Sequence, residues 1–254
     1  MLNMKGQEEL FSPPKQEQYD LISKEYTELV ESDPSKHFVQ YPSALRLLGD
    51  VSGKRVLDVG CGSGIFDREL ALRGAIVTGY DASSEQVAKA QAALQDEPMN
   101  INYVVSNPQE FKTDKQFDKA VSVLVLHYAP NKEYLEKFFS STNQALKDNG
   151  EFDTILVNPD FKRLGEALYN RRFFRLGDGK MKADFLNKDQ EASFSVEFSD
   201  FSMDDYEQAA IGGGFKKIEW VKLKPEEVGI EKMGEEYWKD FEEDCPYVGF
   251  VAHK

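Results

Sequence analysis

The sequence predicts an α/β fold in which a doubly wound, mostly parallel sheet lies between helices. Three observations carry this prediction. Apolar runs of strand length alternate with helical patterns over residues 51–160, closely spaced glycines follow the first strand, and later strands end in polar residues. Right-handed crossovers bring the carboxyl ends of such strands to one edge of the sheet, where the ligands of open α/β folds bind.

Two helices are predicted in residues 1–50, which we interpret as a helical lid. Apolar and aromatic residues recur at helical spacing over 16–31, and a shorter helix is predicted over 43–48. Residues 37–42 between them are interpreted as an aromatic loop. Loops between helices frequently carry binding side chains, so this loop is a candidate wall of a binding site.

Three side chains of the lid are candidate site residues. Tyr26 lies on the aromatic face of the first predicted helix and is a candidate catalytic residue. His37 and Tyr41 lie in the loop and are candidate substrate-binding residues. Ordinary packing or surface exposure is the alternative for each of them.

The first strand is predicted over 55–59, and it leads into a glycine-rich loop. Gly60, Gly62 and Gly64 follow at alternate positions, and a helix is predicted over 65–73. Glycine permits positive φ angles and leaves no Cβ between the main chain and a bound molecule. The arrangement of strand, loop and helix therefore predicts a ligand-binding crossover.

Spacing and charge indicate which ligand this loop binds. A dinucleotide fingerprint requires a third glycine at the position of Ile65, so a nicotinamide-dependent oxidoreductase is disfavoured. Asp58 lies two residues before Gly60, where its carboxylate would repel a pyrophosphate but attract a cation. S-adenosylmethionine (SAM) carries both an ammonium and a sulfonium, and it fits this charge.

The second strand is predicted to end at Asp81, about twenty residues after the glycines. An acid at this place can accept hydrogen bonds from a ribose diol. A helix follows, with Ser83 or Ser84 as its cap, and it directs Gln86 toward the same crevice. Ala82 and Gln86 therefore join Asp81 as candidate cofactor-binding residues.

The third and fourth strands add further candidates at the same edge. The third is predicted over 101–105 and is followed by Asn107 and Pro108. The Asn107 amide could accept from an adenine amino group and donate to a ring nitrogen, although Asn-Pro is also a common turn.

The fourth strand is predicted over 119–126, an apolar run typical of a strand covered on both faces. It places Val123 and Leu124 near the cofactor. His127, a candidate catalytic residue, and Tyr128, a candidate substrate-binding residue, follow where the strand ends. A structural role is the alternative for His127.

The remaining elements complete the sheet and add a cap. The patterns predict a helix over 132–146, a strand over 152–157, short antiparallel strands within 161–200, a helix over 202–211, a strand over 215–223, an acidic amphipathic tail over 226–244 that contains Tyr237 and Trp238, and a last strand over 247–252. Aromatic residues in the antiparallel segment indicate a pocket wall for a planar molecule, with a plain edge extension as the alternative.

Composition excludes several classes of function. The net charge of -14 argues against a nucleic-acid partner, because phosphate binding requires clustered Lys and Arg. Cys61 and Cys245 have no reason to pair, which favours a reducing compartment. No apolar run of membrane-spanning or signal-peptide length is present, so we expect a cytoplasmic protein without a membrane partner. His37, His127 and His253 lack metal-ligand spacing, so no metal site is predicted.

The paired motifs resemble those of the class I SAM-dependent methyltransferases, in which an acid precedes alternate glycines and another acid ends the next strand. Residues 16–157 also look like small-molecule methyltransferases similar to the toxoflavin-pathway N-methyltransferase, through Tyr19-Asp20 and Tyr26, residues 42–51 and residues 126–129. Gln40, Tyr41 and His127 replace the residues that are frequent in those relatives.

The resemblance implies a Rossmann-like methyltransferase fold with seven strands, the last two forming an antiparallel edge. It implies one domain over 1–254, divided into a lid (1–50), a SAM-binding core (51–160), a cap insertion (161–200) and a C-terminal helix with edge strands (201–254).

It also implies a role for each cofactor-binding residue. Asp58 would hold the methionine ammonium, Gly60 and Gly62 would pass beneath the cofactor, Asp81 would hold the ribose, and Gln86, Asn107 and Pro108 would flank the adenine.

The expected activity is transfer of a methyl group from SAM to a nitrogen or oxygen of a small, aromatic or heterocyclic acceptor, with S-adenosylhomocysteine as the product. A general base is required only if the acceptor arrives protonated, and His127, His37, Tyr26 and Tyr41 are the candidates. An O-methyltransferase on a phenol or carboxylate and a non-catalytic SAM-binding regulator are alternatives. The sequence does not indicate the oligomeric state.

Overall fold

A computed structural model describes residues 33–254 except Lys115. The helix predicted over 16–31, and with it the candidate Tyr26, lies outside the described residues. Within the described part, the predicted order of strands and helices over the core is confirmed.

The elements are as follows. The strands are β1 (Arg55–Val59), β2 (Ile76–Asp81), β3 (Ile101–Val105), β4 (Phe117–Val123), β5 (Leu146–Val157), β6 (Arg171–Gly177), β7 (Lys180–Leu186), β8 (Ala192–Ser199), β9 (Lys217–Lys222) and β10 (Tyr247–His253). The α-helices are α1 (Tyr41–Leu48), α2 (Ile65–Leu72), α3 (Ser84–Asp96), α4 (Lys132–Ala145), α5 (Met203–Gly212), α6 (Glu227–Met233) and α7 (Glu235–Glu243). A π-helical turn (Lys36–Gln40) runs into α1, and a 3-10 turn (Leu126–Tyr128) follows β4.

The main sheet has seven strands in the order β3-β2-β1-β4-β5-β10-β9. Strands β1 to β5 pair in parallel, whereas β10 is antiparallel to both β5 and β9. The predicted class, a mostly parallel seven-stranded sheet with flanking helices, is confirmed. The strand order reverses beside β1, so the crevice at the carboxyl end of this strand lies at the topological switch point.

The central strand β1 explains why the core forms where it does. Val56, Leu57 and Val59 are fully buried, because helices cover both faces of this parallel strand. Each such side chain contributes about 1.5–3 kcal/mol to folding through the apolar area removed from water. The loop after β1 is thus attached to the buried centre of the sheet.

A second, smaller sheet is formed by β6, β7 and β8 in antiparallel order. A tight turn at Gly177, Asp178 and Gly179, all with positive φ, joins the first two strands. The small antiparallel sheet predicted within 161–200 is confirmed.

Three local predictions differ from the structure. Residues 37–42, interpreted as a loop, are helical, because Asp33 caps the turn and Pro42 occupies an early position of α1, where proline is tolerated. The predicted strand 119–126 ends at Val123, since Leu124 has a φ of 58° and leaves the extended conformation. Strand β5 begins at Leu146, six residues earlier than predicted, and its pairing with β4 shifts register there.

The acidic tail forms α6 and α7, and the second of these helices packs against the body of the protein. Trp238 is 1% exposed, and its indole N–H donates to the Gly229 carbonyl at 2.9 Å. Its ring stacks on Tyr169 at 5.6 Å. Trp238 is therefore a core residue and is not exposed for contact with a partner protein. In the described part of the chain, no helix is long and apolar enough to cross a membrane.

Candidate functional site

The glycine loop between β1 and α2 is held open by the end of β2. Gly60, Gly62 and Gly64 have φ angles of 80°, 53° and 72°. One carboxylate oxygen of Asp81 accepts a hydrogen bond from the Gly62 N–H at 2.9 Å. Its other oxygen accepts from the Ser83 N–H at 2.9 Å. Asp81 thus ties the loop to the start of α3.

The first two glycines are required for different reasons. A Cβ on Gly60 would lie 2.5 and 2.6 Å from the two methyl groups of Val125, so this glycine permits close packing. A Cβ on Gly62 would meet no atom within 4 Å. Gly62 lines an open cavity, so the space above it is available to a ligand that approaches the main chain.

This cavity has a volume of about 260 Å³ and lies at the carboxyl ends of β1, β2 and β4. Its walls combine two chemically distinct regions. One contains carboxylates, hydroxyls and loop glycines: Asp58, Gly60, Gly62, Asp81, Ser83, Gln86 and Ser106. The other is aromatic and apolar: Tyr41, Tyr128, Phe173, Ala183, Phe185, Val196, Phe198 and Tyr247.

The polar region is strongly acidic and shielded from water. Asp58 is 3% exposed, and burial together with repulsion from Asp67 and Asp81 raises its pKa well above the usual range. Burial raises the pKa of Asp67 to about 6. Burial also raises the pKa of Asp81, although its backbone hydrogen bonds act in the opposite direction. Such a site favours a ligand that carries positive charge.

Hydrogen bonds place the start of α3 beside the loop. The Gln86 N–H donates to the Ser83 hydroxyl at 3.3 Å, which caps the helix as predicted. Ala82, Ser83 and Gln86 all line the cavity. The third strand contributes Ser106 and Pro108 to the wall.

Asn107 is not brought to the cavity wall. Its side-chain oxygen accepts from the N–H groups of Gln109 and Glu110 at 3.0 and 3.1 Å. The acceptor that was predicted to meet an adenine amino group is therefore occupied by the local turn.

The aromatic region is built mainly by the small sheet. Phe173, Phe185 and Phe198 come from β6, β7 and β8 respectively, and each is almost fully buried. Tyr41 faces the same space from α1 and stacks on Phe66 at 5.0 Å. A planar molecule would find ring faces and edges on several sides of this region.

His127 lies between the two regions, in the 3-10 turn after β4. It is 3% exposed and contacts Tyr128 and Phe198, with ring centroids 4.3 and 4.8 Å away. Burial lowers the pKa of His127 to about 3. Its Nδ1 has no hydrogen-bond partner among the described residues. The imidazole is therefore neutral at physiological pH. Its ring lines the cavity, while its unpartnered Nδ1 is buried within the protein.

A buried ion pair closes the cavity beneath the small sheet. The Arg171 guanidinium donates to Asp33 and, at 3.3 Å, to the Ser35 hydroxyl. Ser35 in turn donates to Asp33 and accepts from Gln40 at 3.2 Å. Arg171 also lies over the Phe185 ring at 4.7 Å. This network joins the turn before α1 to β6.

Most predicted site residues converge on the cavity. Asp58, Gly60, Gly62, Asp81, Ala82, Gln86, Pro108, Val123, Leu124, His127, Tyr41 and Tyr128 line it. His37 does not, because it is exposed and only its ring edge meets Tyr41 at 6.4 Å. In the described part of the chain, no group of three or more His, Cys, Asp or Glu side chains is arranged to hold a metal ion.

Sequence reasoning missed other residues of the site. Arg171 was not predicted as a site residue, because its buried partner Asp33 lies 138 positions away in sequence. Asp67 was not predicted as a site residue, because an acidic residue in the first turn of a helix is already explained by its favourable interaction with the helix dipole. The alternating phenylalanines of β8 did indicate a wall.

Comparison with known proteins places the loop in a recognised domain. Residues 56–150 match the family model of a methyltransferase domain. The chain is 34% identical over 101 residues to a ubiquinone biosynthesis O-methyltransferase of Rickettsia prowazekii (strain Madrid E). This match covers 40% of the chain and 39% of that protein, so the chain spans about two fifths of the length of this curated relative.

Solved structures share the fold at low identity. An S-adenosylmethionine-dependent methyltransferase from Mesorhizobium loti has a TM-score of 0.63 and 22% identity, covering 89% of this chain and 100% of that one. The 1,6-didemethyltoxoflavin-N1-methyltransferase of Burkholderia thailandensis, solved with 1,6-didemethyltoxoflavin and S-adenosylhomocysteine, has a TM-score of 0.59 and 12% identity. That match covers 100% of this chain and 91% of the other.

The second of these structures is one neighbour among many, so the closer resemblance to toxoflavin-pathway enzymes stays a prediction. The fold and the domain match agree with each other and with the motif. Residues 56–150 match a methyltransferase domain, and the chain shares its fold with solved S-adenosylmethionine-dependent methyltransferases.

Proposed function

We propose that this protein is an enzyme that transfers a methyl group from SAM to a nitrogen or oxygen of a small aromatic or heterocyclic molecule. The observation that carries the proposal is the cradle formed by three residues. Gly62 faces open space, Asp81 holds the loop beneath that space, and Asp58 places a buried carboxyl group at the same wall.

The residues of the cradle fit SAM. Asp58 suits the ammonium of the methionine part, since a buried carboxyl in this acidic pocket gains most from a cationic partner. Asp81 accepts backbone hydrogen bonds, and the lone pairs that these leave on its carboxylate suit a ribose diol. Ser83, Gln86 and Pro108 would flank the nucleobase, and the cavity lies directly above Gly62.

SAM would supply a methyl group on a sulfonium, which is already a good leaving group. The chain's contribution is therefore to position the two reactants in line and to exclude water. The rigid end of β1 holds one reactant, while the ring walls of Tyr128, Phe173 and Phe198 would hold the other. The proposed transfer does not require a nucleophilic side chain, because the acceptor molecule is itself the nucleophile.

His127 is poorly suited to take a proton from the acceptor. With a pKa of about 3, the imidazole is a weak base at neutral pH. Its ring forms part of the cavity wall beside Tyr128 and Phe198, and its Nδ1 is buried away from the cavity. We therefore favour an acceptor that arrives as a ready nucleophile, such as a neutral heteroaromatic nitrogen.

O-Methylation is the second candidate. The relative from Rickettsia prowazekii is an O-methyltransferase, and this name favours an oxygen acceptor. However, the methyltransferase-domain match ends at residue 150, before β6, β7 and β8 form the aromatic wall. The choice between nitrogen and oxygen thus depends on a part of the chain outside that match.

The test is a transfer assay with isotopically labelled methyl-SAM and a panel of heteroaromatic nitrogen compounds, phenols and aromatic carboxylates. We expect labelled product and S-adenosylhomocysteine only with a heteroaromatic member of the panel. Transfer to phenols alone would support the second candidate. Binding of S-adenosylhomocysteine without transfer to any member would favour a non-catalytic SAM-binding protein and contradict the proposal.

A further inference from the structure

Asp67 is a buried acid that the mechanism above does not use. It lies in the first turn of α2, behind the glycine loop, and is 0% exposed. Among the described residues, neither carboxyl oxygen has a hydrogen bond of regular geometry, and the nearest polar side chains are those of Asp58 and Tyr103. A buried, unsatisfied charge costs several kcal/mol in general, so such a group requires an explanation.

The neighbours of Asp67 place it directly under the cofactor cradle. A Cβ on Gly79 of β2 would lie 2.8 Å from an Asp67 oxygen and 3.0 Å from the Cys61 sulfur. Gly79 pairs in register with Asp58. The Asp58 carboxyl, which lines the cavity, lies within hydrogen-bonding reach of Asp67, which does not.

Two buried carboxyl groups in contact cannot both be ionised at little cost, so they share a proton. Other nearby groups affect the ionisation of this pair in opposite directions. Asp81 disfavours further negative charge at the pair, whereas Arg68 and the Tyr103 hydroxyl favour the ionised form of Asp67. The pair then carries one net negative charge, which matches one ammonium group.

We propose that Asp67 is a positioning residue for cofactor binding: it takes up the shared proton when a cationic ligand reaches Asp58 and donates a hydrogen bond to the ionised Asp58. This inference rests on the proposed function, since it assumes that the methionine part of SAM faces Asp58. Asp67 contacts no ligand itself. It keeps Asp58 charged and oriented toward the cavity.

The test compares three variants by calorimetric titration with two ligands. Asp67→Asn retains a donor toward Asp58, whereas Asp67→Leu and the smaller Asp67→Ala remove it. S-Adenosylhomocysteine carries the ammonium, and 5′-methylthioadenosine lacks the whole amino-acid part. Thermal unfolding of each variant verifies that the protein is folded at the titration temperature.

We expect Asp67→Asn to bind S-adenosylhomocysteine within about threefold of the wild type. Asp67→Leu and Asp67→Ala should bind it at least about tenfold more weakly, because a hydrogen bond to a charged group is lost. Binding of 5′-methylthioadenosine should change less than about threefold in all three variants, since the proposed interaction does not reach the nucleoside.

Three results would overturn the inference while leaving the proposed function intact. The folded Leu or Ala variant could match the wild type, Asp67→Asn could lose as much affinity as Asp67→Leu, or both ligands could be weakened equally, as a merely structural role requires. A wild-type protein that binds neither ligand would instead overturn the proposed function, and the inference with it.

Discussion

Gly60 and Gly62 differ in what faces their α-carbons, and this difference separates a folding requirement from a binding requirement. The Gly60 position is filled by Val125, whereas the Gly62 position opens into the cavity. Gly49 provides a comparison, because it also has positive φ and open space but does not line the cavity.

Alanine substitutions at these three glycines should have distinct effects. Gly62→Ala should lower the free energy of unfolding by about 1–2 kcal/mol, the cost of left-handed backbone for a residue with a Cβ. Gly49→Ala should cost at least as much, because a φ of 64° with a ψ of -142° is a conformation that essentially only glycine adopts. Only Gly62→Ala should weaken S-adenosylhomocysteine binding, by about tenfold or more. Gly60→Ala should lose a further 1–3 kcal/mol of stability through overpacking. Denaturant unfolding and calorimetry measure both effects, and equal losses of affinity in the Gly49 and Gly62 variants would contradict the assignment.

The buried His127 predicts a pH dependence of stability. Its pKa is about 3 in the folded protein and about 6.5 when unfolded, so only the unfolded state takes up this proton between those values. His127 therefore makes the protein less stable as pH falls below about 6.5, by up to about 1.4 kcal/mol per pH unit. Denaturant unfolding at pH 7, 6 and 5 should show a shallower decline for His127→Gln than for the wild type. Parallel declines would show that His127 is accessible to protons in the folded state.

Single residues of the cradle were predictable because their signals are local. Asp58, Gly60, Gly62 and Asp81 occupy fixed positions around a strand, a loop and the next strand, and each lines the cavity. The role of Asp67 was not predictable, because it depends on a contact with Asp58, nine positions earlier. That contact forms only when α2 packs against the sheet. The geometry differs from the prediction for Asn107, because its side-chain oxygen accepts hydrogen bonds within the local turn and the residue does not line the cavity.

At the scale of elements, the small sheet is fixed to the rest of the protein by the ion pair of Arg171 and Asp33. The side chains of both residues are under 10% exposed, whereas Arg175 on the same strand is half-exposed and pairs with Asp200 at the surface. Strand β6 therefore carries two arginine pairs that differ chiefly in burial.

Methionine substitutions at the two arginines should have very different costs. Arg171→Met should destabilise the protein by about 3–5 kcal/mol, because Asp33 remains buried without its charged partner. Arg175→Met should cost less than about 1 kcal/mol, since exposed ion pairs are screened by water and salt. Denaturant unfolding compares the two variants directly. Similar losses in both would mean that the buried pair does not hold the small sheet in place.

The sequence predicted that the small sheet would be antiparallel and aromatic, but not which rings face the cavity. That choice depends on the register of β7 against its two neighbours, which aligns Phe185 with Phe194 and Ala183 with Val196. Register over such short strands is set by turns and by the surface they pack on, and neither is visible in an isolated segment. Residues 37–42 were misinterpreted for a local reason, because the Asp33 cap and Pro42 begin a helix where a loop was predicted.

At the scale of the whole molecule, the order of the strands determines where chemistry can occur. The switch point beside β1 brings the polar cradle to the sheet edge, and the small sheet adds an aromatic wall opposite it. The overall order was predictable from alternating strands and helices, because right-handed crossovers leave few alternatives. The antiparallel edge formed by the last two strands was predicted only from the family resemblance, and the position of β10 between β5 and β9 was not predicted.

The central claim is that the cradle of Asp58, Gly62 and Asp81 binds SAM. The most direct measurement is calorimetric titration of the purified protein with S-adenosylhomocysteine and, in parallel, with NAD. We expect micromolar binding of S-adenosylhomocysteine and no heat with NAD, because the buried acids attract an ammonium and repel a pyrophosphate. Binding of NAD without binding of S-adenosylhomocysteine would contradict the account, since it would mean that the charge of Asp58 does not select the ligand.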